Sequence, residues 1–250
     1  MKIIPLSEGS FTVDATKKFI PFRLSEDEMS ARPQGSLLVE IQPFLILTSK
    51  DILLLDTGLG FNHRSGDQMQ LLAHLAEHGI QSGDVTKVLM SHLHKDHTGG
   101  MVHPATGKPT FENATYCIQE REVAFAREKD GASYDFSKVQ PVLAGKVELL
   151  KADEGSIDGY IQYQVTGAHS KFHQVFWIRE DGETLFFGAD DAPQYQQMKH
   201  RFAAKYDYDG KKAMELRSGW WEKGKKEDWQ FLFYHDTRKP VARPGSEPGL

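Results

Sequence analysis

The chain reads as a layered α/β protein, and three stretches carry that expectation. Ile52-Leu53-Leu54-Leu55 is a short, unbroken apolar run closed by Asp56-Thr57-Gly58, the pattern of a strand buried on both faces. Over residues 67–78 the period changes: Met69, Leu72, Leu75 and Ala76 recur at helical spacing, and Gly79 stops them. Ile161, Tyr163 and Val165 then alternate with Gln162 and Gln164, which is the period of a strand with one covered face. Strands, a helix, more strands, then a helix and a strand again give a layered α/β body.

The remaining elements follow in order. Residues 2–24 alternate loosely between apolar and polar, with Pro5 and Pro21, and read as early strands or an extended arm. Residues 25–35 are charged and carry Pro33, so they form a loop. The run 37–47 is rich in Leu, Val, Ile and Phe but is interrupted by Pro43, which implies an edge strand or a bulge. Strands are expected at 85–90, 115–118, 146–150 and 157–165, with a charged helix at about 119–129. Residues 175–178 and 184–187 form a hairpin around Glu180-Asp181-Gly182, because Asp-Gly suits a tight turn. Ala213, Leu216 and Trp220 make a helical stripe preceded by Asp209, and 229–234 is a last strand. Tyr195, Phe202, Trp220 and Trp221 either wall an apolar pocket or, as is commoner at that density, pack in a core. From about 237 the chain carries Pro240, Pro244 and Pro248 with few apolar groups, the composition of a flexible tail on a single domain spanning 1–250.

Composition excludes several classes. With 250 residues, 39% of them hydrophobic, the chain has the make-up of an ordinary globular protein. A formal net charge of -5 and no extended basic, aromatic stretch argue against a nucleic-acid binder. Cys117 is the single cysteine, so no intrachain disulfide forms, and its strand-like neighbours imply a buried, inert thiol. No apolar stretch approaches a membrane span, and residues 1–8 lack the apolar core of a secretory signal, so a cytoplasmic setting is expected.

The chemistry concentrates in Ser91-His92-Leu93-His94-Lys95-Asp96-His97-Thr98-Gly99-Gly100. Three imidazoles and one carboxylate fall within six residues, and these side chains bind transition metals through nitrogen and oxygen. His92 and His94 lie two apart, so in extended backbone both point to one side. Asp96 and His97 follow where the chain must turn, and can face a second point a few ångströms away. One ion cannot comfortably take all four groups from so short a loop, whereas two adjacent ions can. Gly99-Gly100 is expected to let the backbone leave at φ values other residues avoid.

His-x-His-x-Asp-His after a β-like run resembles the signature of the metallo-β-lactamase-fold hydrolases, and the resemblance extends over most of residues 37–236. It implies two β-sheets packed face to face with helices outside, a four-layer αββα sandwich with metals at one edge. It further implies a third imidazole after a later strand, for which His169 in Thr166-Gly167-Ala168-His169 is the candidate, with His173 a supporting or merely packed histidine. It implies a carboxylate between the two ions after the 184–187 strand. There Asp190 is preferred over Asp191, because Pro193 and the downstream Tyr206-Asp207 resemble a bacterial quorum-quenching, lactonase-like branch. His235, in Tyr234-His235-Asp236, fits the last ligand. The first ion would then take His92, His94, His169 and Asp190, and the second Asp96, His97, Asp190 and His235. Asp56 is either a carboxylate that orients a ligating histidine or a turn-initiating residue.

What the resemblance implies for function is a dinuclear metal-dependent hydrolase whose nucleophile is a water acidified by two Zn²⁺, with Mn²⁺, Co²⁺ or Fe²⁺ as other occupants. Diiron relatives usually carry Glu where this chain keeps His94. Asp96 is the candidate catalytic residue for handling the proton. The substrate is a small molecule, with a lactone or carboxylic ester first and a phosphotriester second. A glyoxalase II-like thioesterase ranks lower, since little chain follows His235 for a helical substrate domain. A nuclease, a secreted β-lactamase and a metal-free binding protein rank lower still. A homodimer is compatible with all of these.

Overall fold

The computed structural model describes residues 1–60 and 68–245; Asp67, at the start of the expected 67–78 helix, and the last five residues of the expected tail lie outside the described residues. Two six-stranded sheets form the body. The first runs, in spatial order, through Lys2–Pro5, Phe44–Leu47, Ile52–Leu55, Lys87–Leu89, Thr115–Gln119 and Val147–Leu150. Its first pairings are antiparallel and the last three parallel. The second orders Glu154–Ile157, Ile161–Val165, Gln174–Glu180, Glu183–Phe187, Gln230–Leu232 and Val241–Ala242. A small third sheet joins Phe19–Pro21, Gly9–Val13 and Leu37–Ile41.

The side chains sort into three cores, and this is what makes the body four layers. Along Ile52–Leu55 the pleat sends Leu54 to one side and Leu53 and Leu55 to the other. Leu54 meets helices Gln70–Glu77, Glu120–Glu128 and Phe136–Leu143 through Leu71, Leu75, Val123 and Val139. Leu53 and Leu55 meet the second sheet through Phe176, Ile178, Leu185 and Phe187. Beyond the second sheet, Phe186, Phe231 and Phe233 pack under helices Tyr195–Lys199 and Gly210–Glu227 against Trp220 and Trp221. Tyr195, Trp220 and Trp221 are therefore core, while Phe202 is exposed. With each fully buried Leu worth about 1.5–3 kcal/mol, Ile52–Leu55 is a firm base for the Asp56 that ends it. Among the described residues no helix is long and apolar enough to cross a membrane.

Several elements differ from expectation for identifiable reasons. Pro43 does not make a bulge; it divides the 37–47 run between Leu37–Ile41 in the small sheet and Phe44–Leu47 in the first large one. The 157–165 strand breaks at Asp158 and Gly159, both at positive φ, and Glu154–Ile157 pairs back on Ile161–Val165 as a hairpin. Asp181 and Gly182 form the expected tight turn, again with φ positive at both. Helix Phe136–Leu143 has no counterpart in the expectation, because Pro141 lies inside it. The segment after Asp236 is not wholly loose: Val241–Ala242 pairs with Gln230–Leu232, and Arg243 reaches Glu183 and Asp228. Cys117 is buried between the two sheets, where burial pushes its thiol up to about 12, out of nucleophilic range.

Candidate metal centre

All seven expected ligands converge at one edge of the sandwich, each delivered by the loop after a strand. Lys87–Leu89 of the first sheet leads into His92, His94, Asp96 and His97, the last two within the short helix Lys95–Thr98. From the second sheet, Ile161–Val165 leads to His169, Glu183–Phe187 to Asp190, and Gln230–Leu232 to His235. Gly99 and Gly100 serve differently from expectation. They do not adopt positive φ; rather, a Cβ on Gly99 would lie 1.9 Å from the Leu59 carbonyl oxygen, and one on Gly100 2.3 Å from that of Thr57. Close backbone packing demands glycine there, and it clamps the loop onto the segment following Asp56.

The ligand atoms form two groups, His92–His94–His169–Asp190 and Asp96–His97–Asp190–His235, and within each they lie inside 4.8 Å of one another. Asp190 belongs to both through different oxygens. Its Oδ2 lies 3.1 Å from His169 Nε2 and 4.0 Å from His92 Nε2. Its Oδ1 lies 3.0 Å from His235 Nε2 and 3.1 Å from His97 Nε2. In the first group His94 Nδ1 stands 2.9 Å from His92 Nε2 and 3.1 Å from His169 Nε2. In the second group Asp96 Oδ2 is 3.5 Å from His235 Nε2 and 3.7 Å from His97 Nε2.

The donor set fits a cation on chemical grounds. His97 Nε2 and Asp190 Oδ1 are buried yet have no hydrogen-bond partner, the kind of orphaned pair that a coordinated ion would satisfy. Burial, reinforced by neighbouring imidazoles, pulls His92 and His94 well below the usual histidine range, so both are neutral with lone pairs free to donate. Burial also disfavours the charged forms of Asp190 and His97. For Asp190 the surrounding His235, His97 and His169 outweigh it and hold the carboxyl well below its ordinary value; for His97 the carboxylates of Asp190, Asp96 and Asp56 outweigh it and hold the imidazole well above.

The far nitrogens are held too. His97 Nδ1 is 2.7 Å from Asp56 Oδ2, His169 Nδ1 is 3.0 Å from Asp207 Oδ1, and His235 Nδ1 is 2.7 Å from the Glu40 carbonyl oxygen. Asp56 both turns the chain and contacts an imidazole. It turns the chain at φ 55°, and its carboxylate accepts from the Ser91 backbone N–H and hydroxyl, both at 2.7 Å, as well as facing His97. Asp191 points away from both groups, accepting from the His169 backbone N–H at 2.8 Å and from the Thr166 hydroxyl. His173 Nδ1 is 3.0 Å from Asp191 Oδ2 without hydrogen-bond alignment, and His173 belongs to neither group. Sequence reasoning missed the Glu40 carbonyl, which no side-chain pattern marks, and the contact of Asp207 with His169, although Asp207 lay in a segment already noted.

Residues 41–197 match the family described as the metallo-beta-lactamase superfamily. The N-acyl homoserine lactonase AttM of Azorhizobium caulinodans is 36% identical over 112 residues, covering 40% of this chain and 38% of that protein, well under half of its length. Among solved structures, a probable metal-dependent hydrolase from Staphylococcus aureus superposes with TM-score 0.76 at 23% identity, over 97% of this chain and 91% of that one. AidC, a dizinc quorum-quenching lactonase solved with its homoserine product, gives TM-score 0.75 at 19% identity, over 99% and 92%. At such identities the structural likeness is one of fold.

Proposed function

The chain belongs to the metallo-β-lactamase superfamily, and from that premise we propose that it is a dinuclear metal-dependent hydrolase of lactones or carboxylic esters. The observation that carries the reading is Asp190, whose two oxygens face two separate sets of imidazoles. His92, His94 and His169 would hold one ion, and Asp96, His97 and His235 the other, with Asp190 available to both. Nitrogen and carboxylate donors suit Zn²⁺, with Mn²⁺, Co²⁺ or Fe²⁺ able to take the same places. When bound, such a pair supplies an acidified water and polarises the substrate carbonyl.

The protein's own groups do the rest. Asp56, Asp207 and the Glu40 carbonyl fix which nitrogen of His97, His169 and His235 faces inward, so the donors are set before any ion arrives. The Tyr234 hydroxyl donates to the Asp96 backbone carbonyl at 2.6 Å, and its ring stacks on His97 at 4.2 Å. These contacts hold Asp96, to which we assign the proton on its way to the leaving alcohol, at the carboxylate oxygen not turned towards His97 and His235. The lactone preference rests on AttM and AidC, both lactonases.

The test is elemental analysis of gently purified protein together with rates on lactones, aryl esters and phosphotriesters. Two transition-metal ions per chain and fastest turnover of lactones are expected, with activity lost on chelation and restored by Zn²⁺ or Co²⁺. A reproducible stoichiometry near zero sinks the metal reading. Phosphotriesters turned over faster than every lactone and ester would move the substrate class while leaving the centre intact.

A further inference from the structure

One buried carboxylate near the centre has no place among its donors. Glu122, in helix Glu120–Glu128, is 1% exposed, and a single oxygen, Oε1, gathers its contacts. It accepts from the Leu93 backbone N–H at 3.1 Å, the Tyr134 hydroxyl at 3.2 Å and, more weakly, the Ser170 hydroxyl at 3.5 Å. Each donor adjoins an imidazole of the first group. Leu93 lies between His92 and His94, and Ser170 follows His169. Tyr134 sets its ring edge-on to that of His94 at 4.7 Å and bridges to it through the backbone.

We propose that Glu122 is a positioning residue for the first metal site, one carboxylate oxygen tying together the two loops and the tyrosine that aim His92, His94 and His169. The proposal rests on the metal-dependent reading above. Without Glu122 the Leu93 N–H would be buried with no partner, which costs about 1–3 kcal/mol and is relieved only if the segment between the two histidines moves. The second group is held by other partners, Asp56, Tyr234 and the Glu40 carbonyl, and stays as it is. The role asked of Oε1 is that of an acceptor from three donors, so the amide oxygen of glutamine at the same place is a close substitute.

The experiment uses full-length Glu122→Leu, Glu122→Asp and Glu122→Gln. It measures Co²⁺ and Zn²⁺ affinity by chelator competition, the visible spectrum of the Co²⁺ form, and hydrogen exchange of the Leu93 amide in metal-stripped protein. Glu122→Leu should weaken one of the two sites by about 10–100-fold, alter its Co²⁺ bands and speed Leu93 exchange, while the other site keeps wild-type affinity. Glu122→Gln should recover most of each. If Glu122→Leu does not fold, Glu122→Asp carries the test: its carboxylate is one methylene short of Leu93, so it should show the same one-site weakening. Wild-type affinity, spectrum and exchange in the folded variant overturn the positioning role alone. Equal weakening of both sites also overturns it, as does failure of Gln to rescue. Wild-type protein that takes up no stoichiometric ion overturns the metal reading itself, and the role of Glu122 falls with it.

Discussion

The two halves of the centre are built from opposite materials. The His92–His94–His169 half is almost all imidazole, with ring nitrogens 2.9–3.1 Å apart. The Asp96–His97–His235 half has a carboxylate of its own, and its His97 is backed by Asp56. The first half thus leans on Asp207 and on Glu122, which reaches its loops through Leu93, Tyr134 and Ser170, and the second on Asp56, Tyr234 and the Glu40 carbonyl. The contrast teaches that one centre can be held by two independent frameworks which meet at one residue, Asp190. A lesion in either framework should therefore be felt on its own side, and a lesion at the meeting point on both.

Asp190→Asn is the sharpest way to break the comparison, because it removes the charge of the one carboxylate whose two oxygens serve the two halves. It should abolish measurable hydrolysis and weaken both ions by more than about 100-fold, beyond the range seen for partners that only support a ligand. Metal counting by equilibrium dialysis checks it, and loss confined to one site would show that the carboxylate serves only one half. His235→Ala comes next. It should leave one ion bound at wild-type affinity, weaken the other, and lower the rate about tenfold or more; wild-type rate and two tight ions would remove His235 from the ligand set. Smallest is truncation after Lys239, which deletes the edge strand paired with Gln230–Leu232, the strand that leads to His235. Two paired residues and the half-exposed Arg243 contacts suggest a loss of about 1 kcal/mol, or about 2–4 °C in Tm for a chain of this size. The second site should loosen slightly and the first not at all. A chain that fails to fold would make the edge strand essential.

Legibility in the sequence follows the same division. His92, His94, Asp96 and His97 were readable because a strand and a turn present them within six residues, where spacing alone encodes direction. His169, Asp190 and His235 were readable only by their order after successive strands. The choice of Asp190 over Asp191 was one of resemblance, and the geometry now gives it a reason: Asp191 is used up by the Thr166 hydroxyl and the His169 N–H. Glu122 was not readable. Glu120-Arg121-Glu122 looks like the solvated face of a helix, and only the fold turns its third residue inward. The hairpin at Asp158-Gly159 carried the same turn signal as Asp181-Gly182, yet the alternation running through Ile161 hid it.

One feature of the ligand set reaches beyond catalysis. Four of the donors belong to the first sheet and three to the second, so an ion shared among them is a clasp between the halves of the sandwich. The chain between His92 and Asp190 is on the order of a hundred residues, a span over which a covalent cross-link is worth about 4.7 kcal/mol by chain entropy. His235 arrives last of all, from the second sheet's penultimate strand. During synthesis, then, the clasp through His92, His94, His169 and Asp190 can close once Asp190 has emerged, whereas the one through Asp96, His97, Asp190 and His235 must wait for the later strand, so the fastening comes in two stages.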